Sequence, residues 1–312
     1  MSTADTTTGI APTTATVRRA AVLGHPVAHS LSPVLHTAAY RALGLEGWEY
    51  GVHDVTQDAL AGFLHDAGPG WAGLSLTMPL KQVVIGLLDH VDPLAQAVGA
   101  VNTVLFSAVG GAVGGAAGGA VTTIGTNTDV HGIVAALREG LGTRRVSDAV
   151  ILGGGATAAS ALASVAELGC TSPRVFVRSL DRIDPLREAV ARMGVTPSFE
   201  VFDDKATTSA LVSADAVVST TPKYASDIWA ALLTERLTGS PSAAADQPAG
   251  VLLDVIYDPR PTALQSAWAA LGAEAIGGER MLLHQAAEQV RLMTGRPAPL
   301  TAMDEALQAA LG

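Results

Sequence analysis

Residues 148–159 of this chain read DAVILGGGATAA. The apolar run predicts a strand over Asp148–Leu152, and the small residues that follow the glycines predict a helix over Gly155–Leu168. A strand, a glycine turn and a helix in this order are typical of a dinucleotide-binding loop. In such a loop Gly153 permits the tight turn, and Gly155 lets the backbone approach a pyrophosphate that sits on the helix N-terminus.

The next strand bears on which nucleotide would bind. An NAD site usually places Asp or Glu about 20 residues after the glycines, to bind the ribose 2′-hydroxyl. Here the strand predicted over Arg174–Arg178 ends in a basic residue, and Ser179 and Arg182 follow it. Guanidinium groups bind a 2′-phosphate through paired, charge-assisted hydrogen bonds, so the pattern favours NADP. Asp181 argues against this choice, and Arg178 also fits a plain surface arginine.

Strands and helices alternate on both sides of the glycine loop. Three strand–helix pairs are predicted between Ala20 and Leu88, and five more strands from residue 148 onward. This alternation favours two α/β units with mostly parallel sheets and a boundary near Asp129. The closing helices, predicted over Met281–Met293 and Leu300–Leu311, could fold back on the first unit.

Three stretches have compositions that suggest no chemistry. Residues 1–17 are rich in Thr and Ala and lack a signal-peptide pattern, so they are interpreted as a disordered tail. The composition of Ser107–Thr123 predicts a hairpin with a loose Gly-rich turn. That of Ser240–Ala249 predicts a surface loop.

Composition excludes several classes of function. The 19 basic and 29 acidic residues give a net charge of −10, which disfavours general nucleic-acid binding. Cys170 is the single cysteine, so neither an intramolecular disulfide nor a cysteine metal site is possible. The histidines lack metal-ligand spacing, and no window of about 20 residues is apolar enough to span a membrane. We therefore expect a cytoplasmic protein with no metal.

Two polar clusters follow the first and third predicted strands, where open α/β sheets bind ligands. Ser30 and Ser32 place two hydroxyls beside a helix predicted from Pro33, so both could meet one carboxylate. Ser32 could equally be only the N-cap of that helix. A helix predicted from Thr77 would put Thr77 and Lys81 on one face, where a lysine suits proton transfer. A lysine considered alone fits a surface position just as well.

Two further clusters contain Asn102, in GAVNT, and Asp129, in GTNTD. The Asn102 amide could form hydrogen bonds with substrate hydroxyls. Asp129 could pair with Lys81 and hold its ammonium group in place. It could also cap the helix predicted from Val130, and both roles are compatible.

The motifs, taken in order, resemble the shikimate dehydrogenase family over roughly Ala20 to Gly295. Seven of them carry the resemblance: GHPVAHSLSP (24–33), LTMPLK (76–81), GAVNT (99–103), NTD (127–129), STTP (219–222), DVIYDP (254–259) and MLLHQA (281–286). The resemblance implies an oxidoreductase that reversibly reduces 3-dehydroshikimate to shikimate with NADPH, on the chorismate route of aromatic amino-acid biosynthesis.

The resemblance also implies two α/β domains. The substrate-binding domain, with a mostly parallel sheet, would comprise residues 18–128 and 279–312. The Rossmann-type NADP domain would comprise residues 129–278. The partners would be the small-molecule substrate and NADP, with no nucleic acid and no membrane, and the chain would be a monomer or a homodimer.

Site residues follow from the same resemblance. Lys81 and Asp129 would be catalytic. The residues implied to bind substrate are Ser30, Ser32, Thr77, Lys81, Asn102, Asp129, Tyr257 and Gln285. Those implied to bind the cofactor are Gly153, Gly154, Gly155, Ala156, Arg178, Ser179, Arg182, Thr220, Val255 and Gly278.

The chain departs from the family pattern at several positions. Ser75 stands where many members carry Asn, Val177 replaces an Asn that often precedes the arginine, and Ala156-Thr157 replaces Gly-Ala in the phosphate loop. These changes leave the proposed catalytic groups in place and bear mainly on cofactor preference.

Three other functions are compatible with parts of the sequence. One is a family member that acts on quinate or uses NAD. Another is a non-catalytic NADP-binding regulatory protein, in which Lys81 or Asp129 would be expected to be lost. The third is a folate-type two-domain dehydrogenase, which explains the glycine loop but not Ser30, Ser32 and Tyr257 together.

Overall fold

The computed structural model describes residues 17–108, 121–239 and 250–312, which form two six-stranded sheets with helices packed on them. The predicted α/β class is therefore confirmed. The predicted tail, apart from Val17, lies outside the described residues, as do the turn of the predicted hairpin and the loop at 240–249.

The first sheet has the strand order β2-β1-β3-β5-β6-β4. Its strands are β1 (Arg18–Gly24), β2 (Trp48–Asp54), β3 (Trp71–Leu76), β4 (His90–Val91), β5 (Thr103–Ala108) and β6 (Val121–Thr126). The pairings β1–β2, β1–β3 and β4–β6 are parallel, whereas β3–β5 and β5–β6 are antiparallel. The expectation of a mostly parallel sheet holds. Strands β5 and β6 pair antiparallel, and only their ends, at residues 107–108 and 121–123, fall within the predicted hairpin.

Helices from both ends of the chain cover the first sheet. They are α1 (Ser32–Ala42), α2 (Gln57–Asp66), α3 (Leu80–Val83), α4 (Pro93–Val98), α11 (Gly278–Thr294) and α12 (Leu300–Leu311). Leu35 and Ala39 of α1 form one buried cluster with Leu283 and Val290 of α11 and Met303 of α12. The closing helices therefore do return to the first unit.

The second sheet is parallel throughout, in the order β12-β11-β10-β7-β8-β9. Its strands are β7 (Ala149–Leu152), β8 (Arg174–Val177), β9 (Ser198–Val201), β10 (Ala216–Ser219), β11 (Val251–Asp254) and β12 (Ala275–Gly277). Counted from β7, the order is 3-2-1-4-5-6, the dinucleotide-binding arrangement. The central strands β7, β10 and β11 are buried along their whole length, and apart from Ser219 and Asp254 they are apolar, because helices cover both faces.

Six helices surround the second sheet. They are α5 (Asp129–Leu141), α6 (Ala156–Leu168), α7 (Asp184–Met193), α8 (Asp204–Ser213), α9 (Asp227–Gly239) and α10 (Ala263–Ala270). In both sheets the strand order reverses at one point, between β1 and β3 and between β7 and β10. Ligands of open α/β sheets bind in the crevice outside the carboxyl ends of strands at such points.

One sequence prediction about the first unit is wrong. The helix predicted to open at Thr77 begins only at Leu80. The residue before a proline is sterically disfavoured in the helical region, so Met78, which precedes Pro79, delays the start. Thr77 is therefore a loop residue, and its proximity to Lys81 does not come from a shared helix face.

Candidate active site

A cavity of about 300 Å³ lies between the two units, beside the reversal point of the first sheet. All eight residues predicted to bind substrate line it: Ser30, Ser32, Thr77, Lys81, Asn102, Asp129, Tyr257 and Gln285. These residues come from separate segments of the chain. Their shared location is the main geometric result of the fold.

Lys81 and Asp129 form an ion pair inside this cavity. The Lys81 Nζ atom lies 2.5 Å from Asp129 Oδ2, and the two side chains are only 17% and 5% exposed. Burying a charge is costly unless it is paired, and here each buried side chain has the other as its partner. Lys81 is delivered by α3, which follows β3, and Asp129 by the first turn of α5, which follows β6.

The Asn102 side chain supports the second oxygen of Asp129. Its Nδ2 donates to Asp129 Oδ1 at 2.8 Å, and its Oδ1 accepts the Thr128 backbone N–H at 2.7 Å. Because an N–H can only donate, this pairing fixes which end of the amide is oxygen. The amide must then present its NH₂ group to the carboxylate, so both oxygens of Asp129 have a donor.

Gln285 reaches the same cluster from α11. Its Oε1 accepts from Asn102 Nδ2 at 3.4 Å. Helices α5 and α11 approach closely at Gly132, where a Cβ atom would lie 2.8 Å from the Met281 carbonyl oxygen and 2.9 Å from Gln285 Cβ. A glycine at this position lets α11 carry Gln285 to the cavity wall.

Ser30, Ser32 and Tyr257 add hydroxyl groups to the cavity lining. Ser30 and Ser32 lie where the connection from β1 meets α1, and Tyr257 follows β11 in the second unit. Burial, together with the nearby charge of Asp258, raises the pKa of Tyr257, so its hydroxyl stays protonated and able to donate. Three hydroxyl groups that line one cavity can donate to an anionic group such as a carboxylate.

The two capping roles considered from the sequence are not what the structure shows. Ser32 is already inside α1 and makes no cap hydrogen bond; its own N–H donates to Ser30 Oγ at 3.3 Å. Asp129 is likewise the first helical residue of α5, and the Val130 N–H donates instead to Asn127 Oδ1 at 3.2 Å. Neither side chain is engaged in capping, so the Asp129 carboxylate is available to Lys81.

The glycine loop has the shape that a pyrophosphate requires. Gly153 has φ = +116°, and a Cβ atom there would lie 2.4 Å from Thr220 Oγ1 across the reversal point of the second sheet. Space next to Gly155 is open, and α6 begins at Ala156 without a side-chain cap. The first N–H groups of a helix have no intrahelical partner, so they are available to bind an anion.

The predicted arginines lie beyond the end of β8. Arg178 and Arg182 are both exposed, and within the described ranges neither makes a hydrogen bond or an ion pair. Ser179 Oγ accepts the Asp181 N–H at 3.2 Å, and the Asp181 carboxylate pairs with neither arginine. Two unengaged cations at this position fit a 2′-phosphate, so the loop and the strand end together fit NADP.

The predicted cofactor residues fall into two groups. Val255 and Gly278 line the cavity together with the residues predicted to bind substrate. The others lie outside the cavity, around the ends of β7, β8 and β10: Gly153, Gly154, Gly155, Ala156, Arg178, Ser179, Arg182 and Thr220.

The sequence analysis missed several cavity residues. Among them are His29, Thr157 in the first turn of α6, and Gln289 on α11. Gln289 stands four residues after Gln285, a spacing that puts both on one helix face and could have revealed it. His29 and Thr157 adjoin predicted site residues, but no periodic pattern marks them.

Two classes of site have no counterpart in the part of the chain that the structure describes. No three His, Cys, Asp or Glu side chains there are grouped as a metal ion would need. Among the same residues, no helix has the length and apolar character to cross a membrane.

Comparisons with known proteins agree with this geometry. Family models described as "Shikimate dehydrogenase substrate binding domain" and "Shikimate 5'-dehydrogenase C-terminal domain" match residues 22–104 and 278–308. A protein of Thermosynechococcus vestitus, "Shikimate dehydrogenase (NADP(+))", is 34% identical, with the alignment covering 93% of this chain and 95% of the relative.

Solved structures extend the comparison to the fold. The shikimate dehydrogenase of Mycobacterium tuberculosis has a TM-score of 0.78 at 37% identity, covering 94% of this chain and 99% of that one. The enzyme of Thermus thermophilus, solved with NADP(H) and shikimate, has a TM-score of 0.72 at 32% identity, with coverages of 94% and 99%. Sequence and structure thus agree over nearly the whole length, and the chain belongs to the shikimate dehydrogenase family.

Proposed function

We propose that this chain is an NADP-dependent shikimate dehydrogenase that interconverts 3-dehydroshikimate and shikimate. The observation that carries the proposal is the buried Lys81–Asp129 pair in a cavity lined by hydroxyl and amide groups. The names of the related enzymes, shikimate dehydrogenase (NADP(+)), support the same reaction.

Within this proposal the cavity binds the substrate at two ends. Ser30, Ser32 and Tyr257 bind the carboxylate through their hydroxyl groups. Thr77, Asn102 and Gln285, together with the Lys81–Asp129 pair, bind the ring hydroxyls and the reacting oxygen. The Asn102 NH₂ group and the Asp129 carboxylate lie 2.8 Å apart, so one hydroxyl can accept from the first and donate to the second.

Reduction of a ketone adds a hydride to carbon and a proton to oxygen. The nicotinamide, when bound, supplies the hydride and takes it back in the reverse direction. Lys81 donates the proton to the ketone oxygen as an ammonium, and as an amine it accepts the proton from the alcohol. Asp129 accepts a hydrogen bond from Lys81 throughout, so it keeps Nζ in place while the charge changes.

The cofactor is assigned to the second unit. The N–H groups at the start of α6 would hold the pyrophosphate, and Arg178 and Arg182 the 2′-phosphate, with Ser179 and Thr220 beside them. We assign residues 129–278 to this NADP domain and residues 18–128 with 279–312 to the substrate domain. Monomer or homodimer remains our prediction for the assembly.

An NADP⁺-reduction assay with shikimate tests the proposal, run in parallel with NAD⁺ and with quinate. We expect the highest kcat/KM for shikimate with NADP⁺. A higher value with quinate or with NAD⁺ would reassign the substrate or the cofactor within the family. Nucleotide binding without turnover of either acid would indicate a regulatory protein instead.

A further inference from the structure

We propose that Gln289 is a positioning residue for this reaction. It orients Asn102 through Thr103, and Asn102 in turn holds the Asp129 carboxylate in place beside Lys81. The inference rests on the proposed function and concerns a residue outside the Lys81–Asp129 pair itself. Gln289 is 1% exposed and lies on α11, one turn after Gln285.

The Gln289 amide oxygen lies within hydrogen-bond distance of two side chains, Ser75 and His36. The Tyr50 hydroxyl donates to Ser75 Oγ at 2.6 Å, and Ser75 Oγ donates to Gln289 Oε1 at 2.7 Å. His36 Nε2 lies 3.2 Å from the same oxygen. Burial lowers the pKa of His36 to about 4, against the opposing effect of this hydrogen bond, so the ring is neutral and must carry its proton on Nε2 to donate.

The Gln289 amide nitrogen faces the catalytic side. It donates to Thr103 Oγ1 at 2.9 Å and lies 3.4 Å from the Asn102 carbonyl oxygen. Thr103 Oγ1 in turn donates to Asn102 Oδ1 at 2.9 Å, and Asn102 Nδ2 donates to Asp129 Oδ1. Donor and acceptor are thus assigned at each step from Tyr50 to Asp129, and Lys81 donates from the other side.

Gln289 supplies the donor on the other side of Thr103. The single hydroxyl proton of Thr103 goes to Asn102 Oδ1, which can only accept, and the Gln289 N–H occupies the acceptor side of the same hydroxyl. Thr103 is fully buried and Ser75 and Asn102 nearly so. A hydrogen bond lost here is costly because water has poor access to replace it. Removing the Gln289 amide therefore loosens Asn102 and the carboxylate that it supports.

The chain combines this arrangement with a departure from the family pattern. Ser75 occupies the position where many members carry Asn, and its short side chain reaches Gln289 across the β3–α11 packing. In this chain the carboxamide at this point of the cavity wall is supplied by Gln289 of α11.

The test compares Gln289→Met, Thr103→Val and the double variant with the wild-type enzyme. Both substitutions keep the volume and remove the hydrogen bonds. We expect each single variant to lower kcat about tenfold, a loss typical of a slightly misplaced catalytic group. The KM for NADP⁺ should change less than twofold. The double variant should be no slower than the single ones, since all three break the same series.

Gln265→Met is the matched control, because Gln265 is also a buried glutamine but belongs to the capping box of α10 in the second unit. Its melting temperature should fall while its kcat stays within twofold of wild type. A wild type inactive on shikimate would refute the proposed function. If the wild type is active, two results would overturn this inference. One is a kcat of Gln289→Met within twofold of wild type. The other is a double variant whose loss of kcat equals the product of the two single losses. If Gln289→Met fails to fold, Thr103→Val serves as the test, and a kcat within twofold of wild type would overturn the inference.

Discussion

Lys81 carries the proton-transfer role, and its replacement is the most direct test of the site. Lys81→Ala removes the proton donor but also leaves Asp129 a buried carboxylate held by Asn102. We expect kcat to fall by at least about 10²-fold, as is usual for general acid–base groups. The fold, by circular dichroism, and NADP⁺ binding, by titration, should persist because the glycine loop lies in the other unit.

Lys205→Ala provides the control for this experiment. Lys205 is exposed on α8, far along the chain from the cavity residues, and its loss should leave kcat unchanged. Near-normal turnover of Lys81→Ala would contradict the assignment of Lys81 as the proton donor.

Arg178 governs the choice of nucleotide in our proposal. Arg178→Gln keeps a polar side chain but removes the charge that would face the 2′-phosphate. Hydrogen bonds to charged groups contribute about 1.5–3 kcal/mol, so the KM for NADP⁺ should rise about tenfold or more while that for NAD⁺ stays nearly constant. Arg187→Gln, at an exposed position of α7, should change neither constant. Equal changes with both nucleotides would argue against contact with the 2′-phosphate.

At the scale of elements, the crossing of α5 and α11 depends on Gly132. Gly132→Ala would place a methyl group within 3 Å of the Met281 carbonyl oxygen and Gln285 Cβ. Overpacking of this kind typically costs about 1–3 kcal/mol, which should exceed the gain in helix propensity. Urea unfolding should therefore show a lower free energy of unfolding, and turnover should fall because Gln285 moves.

Gly62→Ala is the same substitution in a different environment. Gly62 lies in α2 with no atom near its absent Cβ. Here the propensity gain acts alone, and the free energy of unfolding should rise by roughly 0.5–1 kcal/mol. The opposite signs of the two substitutions are the expected result; equal signs would mean that the α5–α11 contact is not tight.

Elements with a clear pattern could be predicted from the sequence, and others could not. The strand and helix around the glycine loop were predicted within one residue at each end, because an uninterrupted apolar run adjoins glycines. Helix α9 was missed because its apolar residues run almost continuously from Ile228 to Leu233 and show no helical period. Helix α8 was missed because threonine and serine residues weaken its helical pattern.

The candidate site could likewise be predicted from the sequence only in part. The pairing of Lys81 with Asp129 could be foreseen because both follow strands of one sheet. The role of Gln289 could not, because its partners Ser75 and Thr103 are 214 and 186 residues away in the sequence. Such contacts depend on how α11 crosses β3 and β5, and local propensity carries no information about that crossing.

For the whole molecule, His36 predicts how stability depends on pH. It is fully buried between α1, β2 and α11, and burial lowers its pKa from 6.5 to about 4. The unfolded chain therefore binds a proton at a higher pH than the folded one does. The free energy of unfolding should be highest above pH 6.5 and should fall by roughly 3 kcal/mol as the pH approaches 4.

Comparison with a variant isolates this contribution from those of other titrating groups. His36→Gln cannot titrate, so its free energy of unfolding should be lower at pH 7 but less dependent on pH between 6.5 and 4. Chemical denaturation at several pH values measures both curves. Parallel curves for the two proteins would mean that His36 is not the group responsible.

The return of α11 and α12 to the first unit has a consequence for biosynthesis. About 235 residues separate the end of α1 from the start of α11, so at roughly 5–20 residues per second a ribosome needs about ten to fifty seconds between them. During that interval the apolar face of α1, with Leu35 and Ala39, lacks the part of its cover that α11 and α12 provide, while the second sheet can already assemble. The nascent chain therefore exposes part of this apolar surface to chaperones until α11 and α12 emerge, and the catalytic cavity stays incomplete until α11 supplies Gln285.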